Sequence, residues 1–321
     1  MQKRFAVLTS GGDAPGMNAA IRAVVRSGLG SNLEVFGVAH GYAGLMRGEI
    51  SPMSSVDVGA IISLGGTVLR SSRTQEFMER AGRVKAAKNL EKLGIEALIV
   101  IGGDGSLTGA SVFAKECGCR VIGIPASIDN DIPATDNSIG FETAVDTALN
   151  AIDHVRDTAY SHDRVFVIEV MGRRNGFIAL EAGLAGGAEE ILIPERPVDL
   201  AAVCKRLIAG RKRGKQSSII VVAEGAAKAA DVCSYISREM DYEARYLVLG
   251  HMQRGGSPCA YDRVLATRFG AAAVRRMFDG ASDEYVGISA NKIISTEISI
   301  GLASDKPIDE QRLELAQMMA R

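Results

Sequence analysis

The most informative part of this sequence is residues 97–131, ALIVIGGDGSLTGASVFAKECGCRVIGIPASIDND. It contains two mainly apolar runs, residues 97–101 and 120–124, and such runs are typical of parallel β-strands covered on both faces. Each run ends in a loop, GGDGS after the first and PASIDND after the second. Because open α/β sheets bind ligands where their strands end, the stretch predicts a parallel α/β sheet with a binding site at that edge.

The first of these loops is suited to phosphate. Its glycines let the backbone bend and bring N–H groups close to an anion, and the helix predicted over residues 107–115 would point its positive end at the loop. Asp104, Asp129 and Asp131 would converge on the bound phosphate. Carboxylates beside a polyphosphate require a cation between them or a proton on one of them, which indicates phosphoryl transfer. By itself, GGDGS is also compatible with a glycine turn carrying a solvated Asp.

Composition bounds the class of protein. A chain of 321 residues allows about two domains, and a net charge of −1 gives no general attraction to nucleic acid or membrane. Aromatic residues make up 5% and Trp is absent, which disfavours platforms for base stacking. No apolar run approaches the ~20 residues of a membrane span, and the N-terminal apolar core is too short for a signal peptide.

The cysteines favour a reducing compartment. They are five, an odd number, and show no repeated metal-ligand spacing. Cys117 and Cys119 could chelate a metal, but a pair of reduced thiols is favoured. We therefore expect a cytoplasmic protein.

Several further elements follow from apolar runs and helical spacing. Strands are predicted over residues 5–9, 34–38 and 218–223, a strand with a polar approach over 161–170, helices over 19–27, 80–93, 142–157 and 261–276, a loop over 40–45, and a polar helical tail over 305–321. The tail is given no site, and neither are His40 and Arg70.

GGDGS and PASIDND together resemble the two hallmark loops, GGDGS and PGTIDND, of the bacterial ATP-dependent 6-phosphofructokinases. The strings GGDAPGMNAAIR (residues 11–22) and LGHMQRGG (residues 249–256) are similar to that family as well, so the resemblance covers nearly the whole chain. It implies an α/β fold of two sandwich domains with mostly parallel sheets and an active site in the cleft between them. Residues 1–139 and 252–303 would bind ATP, and residues 140–251 and 304–321 would bind fructose 6-phosphate.

The reaction implied by the resemblance is transfer of the ATP γ-phosphoryl group to the 1-hydroxyl of fructose 6-phosphate, a step of glycolysis. Asp129 would take the proton from that hydroxyl. Asp104 would hold Mg²⁺ with the assistance of Asp131, and Ser127 would orient the reacting end of the sugar. Arg73 would stabilise charge on the γ-phosphoryl group, since a guanidinium stays charged and offers several donors.

The resemblance also supplies three sets of binding residues. The nucleotide would be bound by Gly12, Arg73, Gly103, Asp104, Gly105 and Ser106. The sugar phosphate would be bound by Ser127, Asp129, Arg164, Met171, Gly172, Arg173, Glu224, Arg245, His251 and Arg254, with Arg164 and Arg245 coming from a neighbouring subunit and Arg173 also contacting the transferring group. An allosteric ADP or phosphoenolpyruvate would be bound by Arg22, Arg26, Arg156, Gly187, Glu189, Arg213 and Lys215, and the shared sites imply an oligomer, in this family a homotetramer.

Residue type alone leaves plainer alternatives for some of these positions. Arg22 and Arg26 could form an exposed basic stripe on a helix, and the run at residues 211–215 could be a solvated helix end. Arg164 could be a charge at the edge of a strand. The effector role of these residues is therefore implied by the resemblance only.

The sequence departs from the family pattern at three places. Ala126-Ser127 replaces the usual Gly-Thr, which keeps the hydroxyl, and the segment 51–58 lacks an arginine that many regulated members carry in the effector pocket. Relatives that use pyrophosphate typically have Lys at position 126 and Asp at position 105, whereas this chain has Ala126 and Gly105. A pyrophosphate-dependent phosphofructokinase is the nearest alternative. A lipid or dinucleotide kinase would share GGDGS without needing LGHMQRGG, and a non-enzymatic homologue would be expected to lose site residues.

Overall fold

A computed structural model describes residues 3–162, 164–240 and 243–320. The strands, in chain order, are β1 (Arg4–Ser10), β2 (Glu34–Val38), β3 (Ile50–Pro52), β4 (Ala97–Gly102), β5 (Arg120–Pro125), β6 (Val165–Val170), β7 (Glu190–Leu192), β8 (Ser218–Ala223), β9 (Ala244–Val248), β10 (Glu284–Ser289) and β11 (Lys292–Glu297).

The helices alternate with these strands. In chain order they are α1 (Met17–Gly30), α2 (Gly41–Arg47), α3 (Arg80–Lys92), α4 (Asp104–Cys117), α5 (Phe141–His162), α6 (Phe177–Ala185), α7 (Leu200–Lys212), α8 (Ala229–Met240), α9 (Ala260–Phe278), α10 (Ile298–Gly301) and α11 (Glu310–Met319). Short 3₁₀ helices occupy Glu76–Met78 and Gly250–Arg254. No helix in the described ranges is both long and apolar enough to cross a membrane.

The chain divides into two compact units, and each has its own sheet. The first unit comprises Met1–Thr143 and Arg254–Lys306, and the second comprises Ala144–Gln253 and Pro307–Arg321. The binding role predicted for each domain stays a prediction.

The sheet of the first unit has the strand order β11-β10-β5-β4-β1-β2-β3. The five inner strands are parallel, and β3 and β11 pair antiparallel at the two edges. Ser10, Gly102 and Pro125 are neighbours across β1, β4 and β5. The loops that follow these three strands therefore leave the same edge of the sheet.

The second unit contains a parallel four-stranded sheet in the order β7-β8-β6-β9. Its inner strands β6 and β8 are almost fully apolar, and their side chains pack in a core with α7 and α8. Burial of both faces explains why these strands are continuous apolar runs in the sequence. The predicted α/β class with mostly parallel sheets is confirmed.

Close packing of helices in the first unit depends on a small residue. A Cβ placed on Gly270 of α9 would lie 2.6 Å from the Cβ of Ala23 and 2.9 Å from the carbonyl oxygen of Ala20 in α1. The two helices approach too closely at this point for any larger side chain. Helix α1 is thereby fixed behind β1, with its N-terminus beside the first glycine loop.

Most predicted elements are confirmed, but several boundaries and one type are wrong. Helix α1 continues to Gly30, three residues past its predicted end, and the tail is helical only from Glu310. Residues 41–47 form helix α2 rather than a loop, because Tyr42, Leu45 and Met46 follow helical spacing and pack in the core, while the glycines only shape its ends. Helix α4 begins at Asp104, three residues before its predicted start. Helix α5 continues to His162, so residues 161–162 are helical and β6 begins at Val165; Asp163 lies outside the described residues.

Candidate active site

The ends of β1 and β4 lie side by side and carry two glycine loops. A Cβ on Gly102 would come within 2.5 Å of the Ser10 carbonyl oxygen, and a Cβ on Gly11 would lie 3.1 Å from Ser106 Oγ. Gly103 is the N-cap of α4 and provides no side-chain hydrogen bond to the first helical N–H groups. These N–H groups, in the turn that contains Asp104, Gly105 and Ser106, can bind an anion.

Arg254 lies against Gly12 in the first unit. A Cβ on Gly12 would be 1.9 Å from Arg254 Nη1, so the guanidinium covers the backbone of the predicted nucleotide loop. The sequence assigned Arg254 to the sugar phosphate, and that role stays a prediction. The structure adds that its charge also faces the loop at the end of β1.

The segment that contains Arg73 is tied to the same edge of the sheet. Ser71 Oγ donates to the Gly11 carbonyl at 2.6 Å, and Thr9 Oγ1 donates to the Arg70 carbonyl at 2.8 Å. Asn18 fixes the start of the segment, since its amide donates to the carbonyl of Gly65 and its Oδ1 accepts from a backbone N–H. Arg73 itself is exposed, so its guanidinium is available beside the loop.

The loop after β5 is closed by its own polar groups. Ser127 Oγ donates to Asp131 Oδ1 at 2.9 Å and accepts from the Asp129 N–H at 3.3 Å, while Ser138 Oγ donates to the Ser127 carbonyl at 2.6 Å. Asn130 takes a left-handed conformation with φ of 50°, which its side chain supports by accepting from the Ser138 N–H at 3.0 Å. Asp129 is only 2% exposed. The loop therefore holds a buried carboxylate next to a hydroxyl.

The carboxylates at this edge suit a cation shared with phosphate. No group of three or more His, Cys, Asp or Glu side chains in the described ranges could hold a metal alone. Asp104 is exposed at the start of α4, and Asp131 follows the neighbouring strand β5. Mg²⁺ is typically bound by one or two carboxylates together with substrate phosphates, so these two residues fit it once a polyphosphate is bound.

Lys306 is a further charge near this loop that the sequence did not reveal. Its Nζ donates to the Asp136 carbonyl at 2.7 Å. Burial lowers the pKa of Lys306 to about 8, although the charges of Asp136 and Asp131 act in the opposite direction. A single lysine in a polar tail gives no signal in the sequence, which is why this position was missed.

In the second unit, the loop after β6 has an unusual backbone. Gly172 has φ of 139°, and a Cβ there would lie 2.4 Å from the Asn175 carbonyl oxygen. Arg173 has φ of 53°, which is rare for a residue with a side chain. Its N–H donates to Glu224 Oε1 at 2.9 Å, and Gly225 packs on its carbonyl. The predicted residues Met171, Gly172, Arg173 and Glu224 are thus brought together.

Two more predicted sugar-phosphate residues share one carboxylate. Glu243 Oε2 accepts from Arg164 Nε at 2.8 Å, and its other oxygen accepts from Arg245. These hydrogen bonds hold the pKa of Glu243 below its ordinary value. The shared carboxylate places the two guanidiniums next to each other, and their predicted role in binding phosphate stays a prediction.

Several of the predicted effector residues surround a cavity of about 500 Å³ in the second unit. Glu189, Arg213 and Lys215 line it, and Lys215 Nζ lies 3.0 Å from Glu189 Oε1. Arg156 Nη2 donates to the Gly187 carbonyl at 2.9 Å. Helix α11, from the tail to which the sequence gave no site, also lines the cavity. The other two predicted effector residues, Arg22 and Arg26, lie on α1 of the first unit.

His251 lies exposed in the 3₁₀ helix Gly250–Arg254. In the same helix Gln253 is fully buried and contacts Met171, a role that the sequence analysis missed although Gln253 lies within LGHMQRGG.

Strand-end glycine loops, a helix N-terminus open to an anion, a buried carboxylate and nearby arginines define an α/β phosphotransferase. A family model described as Phosphofructokinase matches residues 4–277. The chain belongs to the phosphofructokinase family.

Comparison with known proteins shows how close this membership is. The chain is 51% identical to the ATP-dependent 6-phosphofructokinase of Thermotoga neapolitana, over 99% of this chain and 100% of that relative. It is 53% identical to ATP-dependent 6-phosphofructokinase 1 of Thermus thermophilus, over 99% of each chain.

Solved structures agree with the fold. The phosphofructokinase of Saccharomyces cerevisiae superposes with a TM-score of 0.91 at 38% identity over 99% of this chain, which spans about half, 47%, of the yeast chain. A pyrophosphate-dependent phosphofructokinase of Marinobacter aquaeolei superposes with a TM-score of 0.85 at 24% identity, over 96% of this chain and 86% of that one. The second likeness supports the fold alone.

Proposed function

We propose that this chain transfers the γ-phosphoryl group of ATP to the 1-hydroxyl of fructose 6-phosphate, giving fructose 1,6-bisphosphate and ADP. The observation that carries the proposal is the closed loop of residues 127–131. It holds a buried Asp129 at the edge of the sheet where β1, β4 and β5 end. Full-length relatives with about half of their residues identical are named ATP-dependent 6-phosphofructokinase. This is a kinase reaction of glycolysis.

Asp129 acts as the general base. The hydroxyl of a sugar is a weak nucleophile, and a carboxylate that accepts its proton as the bond to phosphorus forms accelerates transfer by about 10²–10⁴-fold. The Asp129 N–H donates to Ser127 Oγ, which fixes the backbone that carries the base, and the Asp129 side chain itself is buried. Ser127 contacts the reacting end of the sugar and orients it toward that base.

Charge on the transferring group is stabilised by fixed donors. The first N–H groups of α4 face the phosphates, and the guanidiniums of Arg73 and Arg173 bind the γ-phosphoryl oxygens. Gly12 brings the backbone of the β1 loop against the nucleotide phosphates. Because phosphoryl transfer needs little covalent assistance, most of the rate acceleration comes from this positioning and charge stabilisation.

Asp104 and Asp131 are the residues that would hold Mg²⁺ together with the phosphates. When bound, the ion neutralises charge on the phosphate oxygens. The exposed position of Asp104 supports this assignment, and so does the carboxylate of Asp131, which accepts from Ser127 Oγ through Oδ1 and keeps a second oxygen, because carboxylate oxygens are the ligands that Mg²⁺ prefers.

Fructose 6-phosphate is held mainly through its phosphate. His251 and Arg254 bind the dianion, and Arg164 and Arg245 of a neighbouring copy complete the site, so the active form is an oligomer, which we propose to be a homotetramer. The adjacency of the last two guanidiniums at Glu243 supports a shared anion. Glu224 accepts hydrogen bonds from the sugar hydroxyls.

Two positions favour ATP over pyrophosphate as the donor. Gly105 lies in the first turn of α4, and Ala126 is buried at the end of β5. An acidic residue at the first position and a lysine at the second, as pyrophosphate users typically have, would change the charge next to the phosphates. The small residues present here leave that space uncharged.

One assay tests the donor and the acceptor together. Formation of fructose 1,6-bisphosphate is measured with fructose 6-phosphate and either ATP or pyrophosphate, in Mg²⁺ buffer and again after chelation. We expect turnover with ATP and Mg²⁺ only. Turnover with pyrophosphate alone would establish the alternative donor, and no turnover with either donor would refute the proposed function.

The effector cavity motivates a second arm of that assay. ADP or phosphoenolpyruvate binding to Arg156, Glu189, Arg213 and Lys215 should change the dependence of the rate on fructose 6-phosphate. The free thiols and the glycolytic substrates agree with a cytoplasmic location.

A further inference from the structure

Gln253 is a fully buried polar residue with a specific contact. Its exposed fraction is 0%, and its Oε1 accepts a hydrogen bond from the Met171 N–H at 2.8 Å. Its Nε2 is also buried and has no hydrogen-bond partner among the described residues. The side of the amide that makes a contact in the structure is therefore its acceptor, Oε1.

The Met171 N–H requires a side-chain acceptor because of how strand β6 ends. The Leu249 N–H donates to the Glu169 carbonyl at 3.0 Å, on the side of β6 that faces β9, while the Glu224 N–H donates to the Val170 carbonyl on the opposite side. Alternation along the strand turns the Met171 N–H back to the β9 side. The chain after β9 has by then turned into the 3₁₀ helix Gly250–Arg254, and its carbonyls no longer continue the ladder. Gln253 Oε1 takes the place of the missing backbone carbonyl.

This contact joins two segments of the sugar-phosphate site. Gln253 lies between His251 and Arg254 in the 3₁₀ helix, and Met171 begins the loop whose backbone is left-handed at Arg173. Such a backbone conformation persists only if its surroundings fix it. Glu224 fixes the far end of the loop, and Gln253 fixes the near end.

We propose that Gln253 is a positioning residue that sets the distance between the phosphate-binding 3₁₀ helix and the loop of residues 171–173. The inference rests on the proposed function and adds to it a residue that does not itself touch the substrate. The bond that matters is the one accepted by Oε1. Loss of that acceptor should therefore weaken use of fructose 6-phosphate and leave use of ATP unchanged.

The test compares two replacements of similar size at this position. Gln253→Met removes the acceptor, and we expect kcat/KM for fructose 6-phosphate to fall about 10–100-fold, because small displacements of binding groups have effects of this order. Gln253→Glu keeps an oxygen at the Oε1 position, and because burial favours the neutral carboxyl form, it should recover most of that loss at the low-pH end of the assay range. In both variants the KM for ATP should stay within about twofold of the wild-type value. Gln311→Met, at an exposed position of the second unit, is the matched control.

The outcomes separate this inference from the proposed function. Wild-type chain without ATP-dependent turnover would refute the function itself. With an active wild type, an unchanged kcat/KM for fructose 6-phosphate in Gln253→Met, or equal losses in the Met and Glu variants at low pH, would refute the positioning role. If Gln253→Met does not fold, Gln253→Asn is used instead. Its shorter side chain draws the acceptor back by one methylene, and it must show the same fall in kcat/KM for fructose 6-phosphate with an unchanged KM for ATP.

Discussion

The loop of residues 127–131 and the loop of residues 171–173 are held in opposite ways. In the first, the hydrogen bonds of Ser127 reach residues two, four and eleven positions away in the chain. In the second, Met171 and Arg173 donate to side chains that lie 82 and 51 positions away. The first loop is held by hydrogen bonds to residues nearby in the sequence. The second is held by hydrogen bonds to residues far away in the sequence.

This difference in support predicts which substitutions should disturb each loop. A loop closed by its own residues should tolerate changes elsewhere and fail only when its own members are replaced. A loop supported from a distance should fail when a supporting residue changes, even if that residue never contacts a substrate. The four predictions below test this contrast.

The largest effect is expected for Asp129→Ser in the locally closed loop. Loss of the base should lower kcat by about 10²–10⁴-fold, or about 3–5 kcal/mol in the barrier, while binding of fructose 6-phosphate is largely kept. Steady-state kinetics together with equilibrium binding of the sugar phosphate measure both quantities. Asp305→Ser, at an exposed position, is the control. Near-normal turnover in Asp129→Ser would show that another group takes the proton.

Asp262→Asn asks whether the closed loop depends on a remote anchor. Asp262 of α9 is buried, and its carboxylate accepts from the Gly140 N–H at 2.9 Å and from the N–H and Oγ1 of Thr143 at 2.8 and 2.5 Å. An amide cannot accept all of these bonds, so we expect a loss of about 2–3 kcal/mol in the free energy of unfolding, measured by urea denaturation.

The same variant should keep kcat within about twofold, because residues 127–131 close without Asp262. Asp279→Asn, at the other end of the same helix, should change neither stability nor rate appreciably. A collapse of kcat in Asp262→Asn would break the contrast between the two loops.

Gly225→Ala tests the remotely supported loop. The added Cβ would lie 2.2 Å from the Arg173 carbonyl oxygen, so the loop must shift. We expect about a tenfold fall in kcat/KM for fructose 6-phosphate, about 1.4 kcal/mol, with an unchanged KM for ATP. Gly30→Ala, where an added Cβ meets nothing within 4 Å, is the matched control and should behave as wild type. Normal kinetics in Gly225→Ala would show that residues 171–173 can shift without a loss of activity, and that their support by distant residues is not required.

The smallest effect concerns Lys306, whose Nζ donates to the Asp136 carbonyl. Its pKa of about 8 lies below the ordinary value of 10.5, so between these values the unfolded chain binds more protons at this site. The contribution of Lys306 to stability therefore rises as the pH rises from 8 to 10.5. In Lys306→Met that rise should be lost.

Unfolding by urea at several pH values in this window measures the change. Lys292→Met removes an exposed lysine of the same unit and should keep the wild-type pH dependence. An identical pH dependence in both variants would show that burial of Lys306 has no thermodynamic consequence.

Much of the fold could be predicted because its signals are local. The inner strands are continuous apolar runs, and glycines mark the loops that follow β1 and β4. Two of the errors arose where a glycine was read as a loop: Gly41 begins α2, and Gly105 lies within the first turn of α4. Whether a glycine breaks or enters a helix depends on which neighbouring side chains are buried, and the local pattern does not contain that information.

The sequence alone determined the α/β class, the positions of the glycine loops and the acidic loop that contains Asp129, because each depends on residues close together in the chain. Only the tertiary structure decided that Gln253 and Glu224 hold the backbone of residues 171–173, that Lys306 donates to the Asp136 carbonyl and that Arg254 covers Gly12. These contacts join residues far apart in the sequence, and no periodicity or motif records which distant side chain will satisfy a given buried group. The local sequence shows which backbone groups will be buried and require a hydrogen bond, but the packing of the whole unit decides which residue provides the partner.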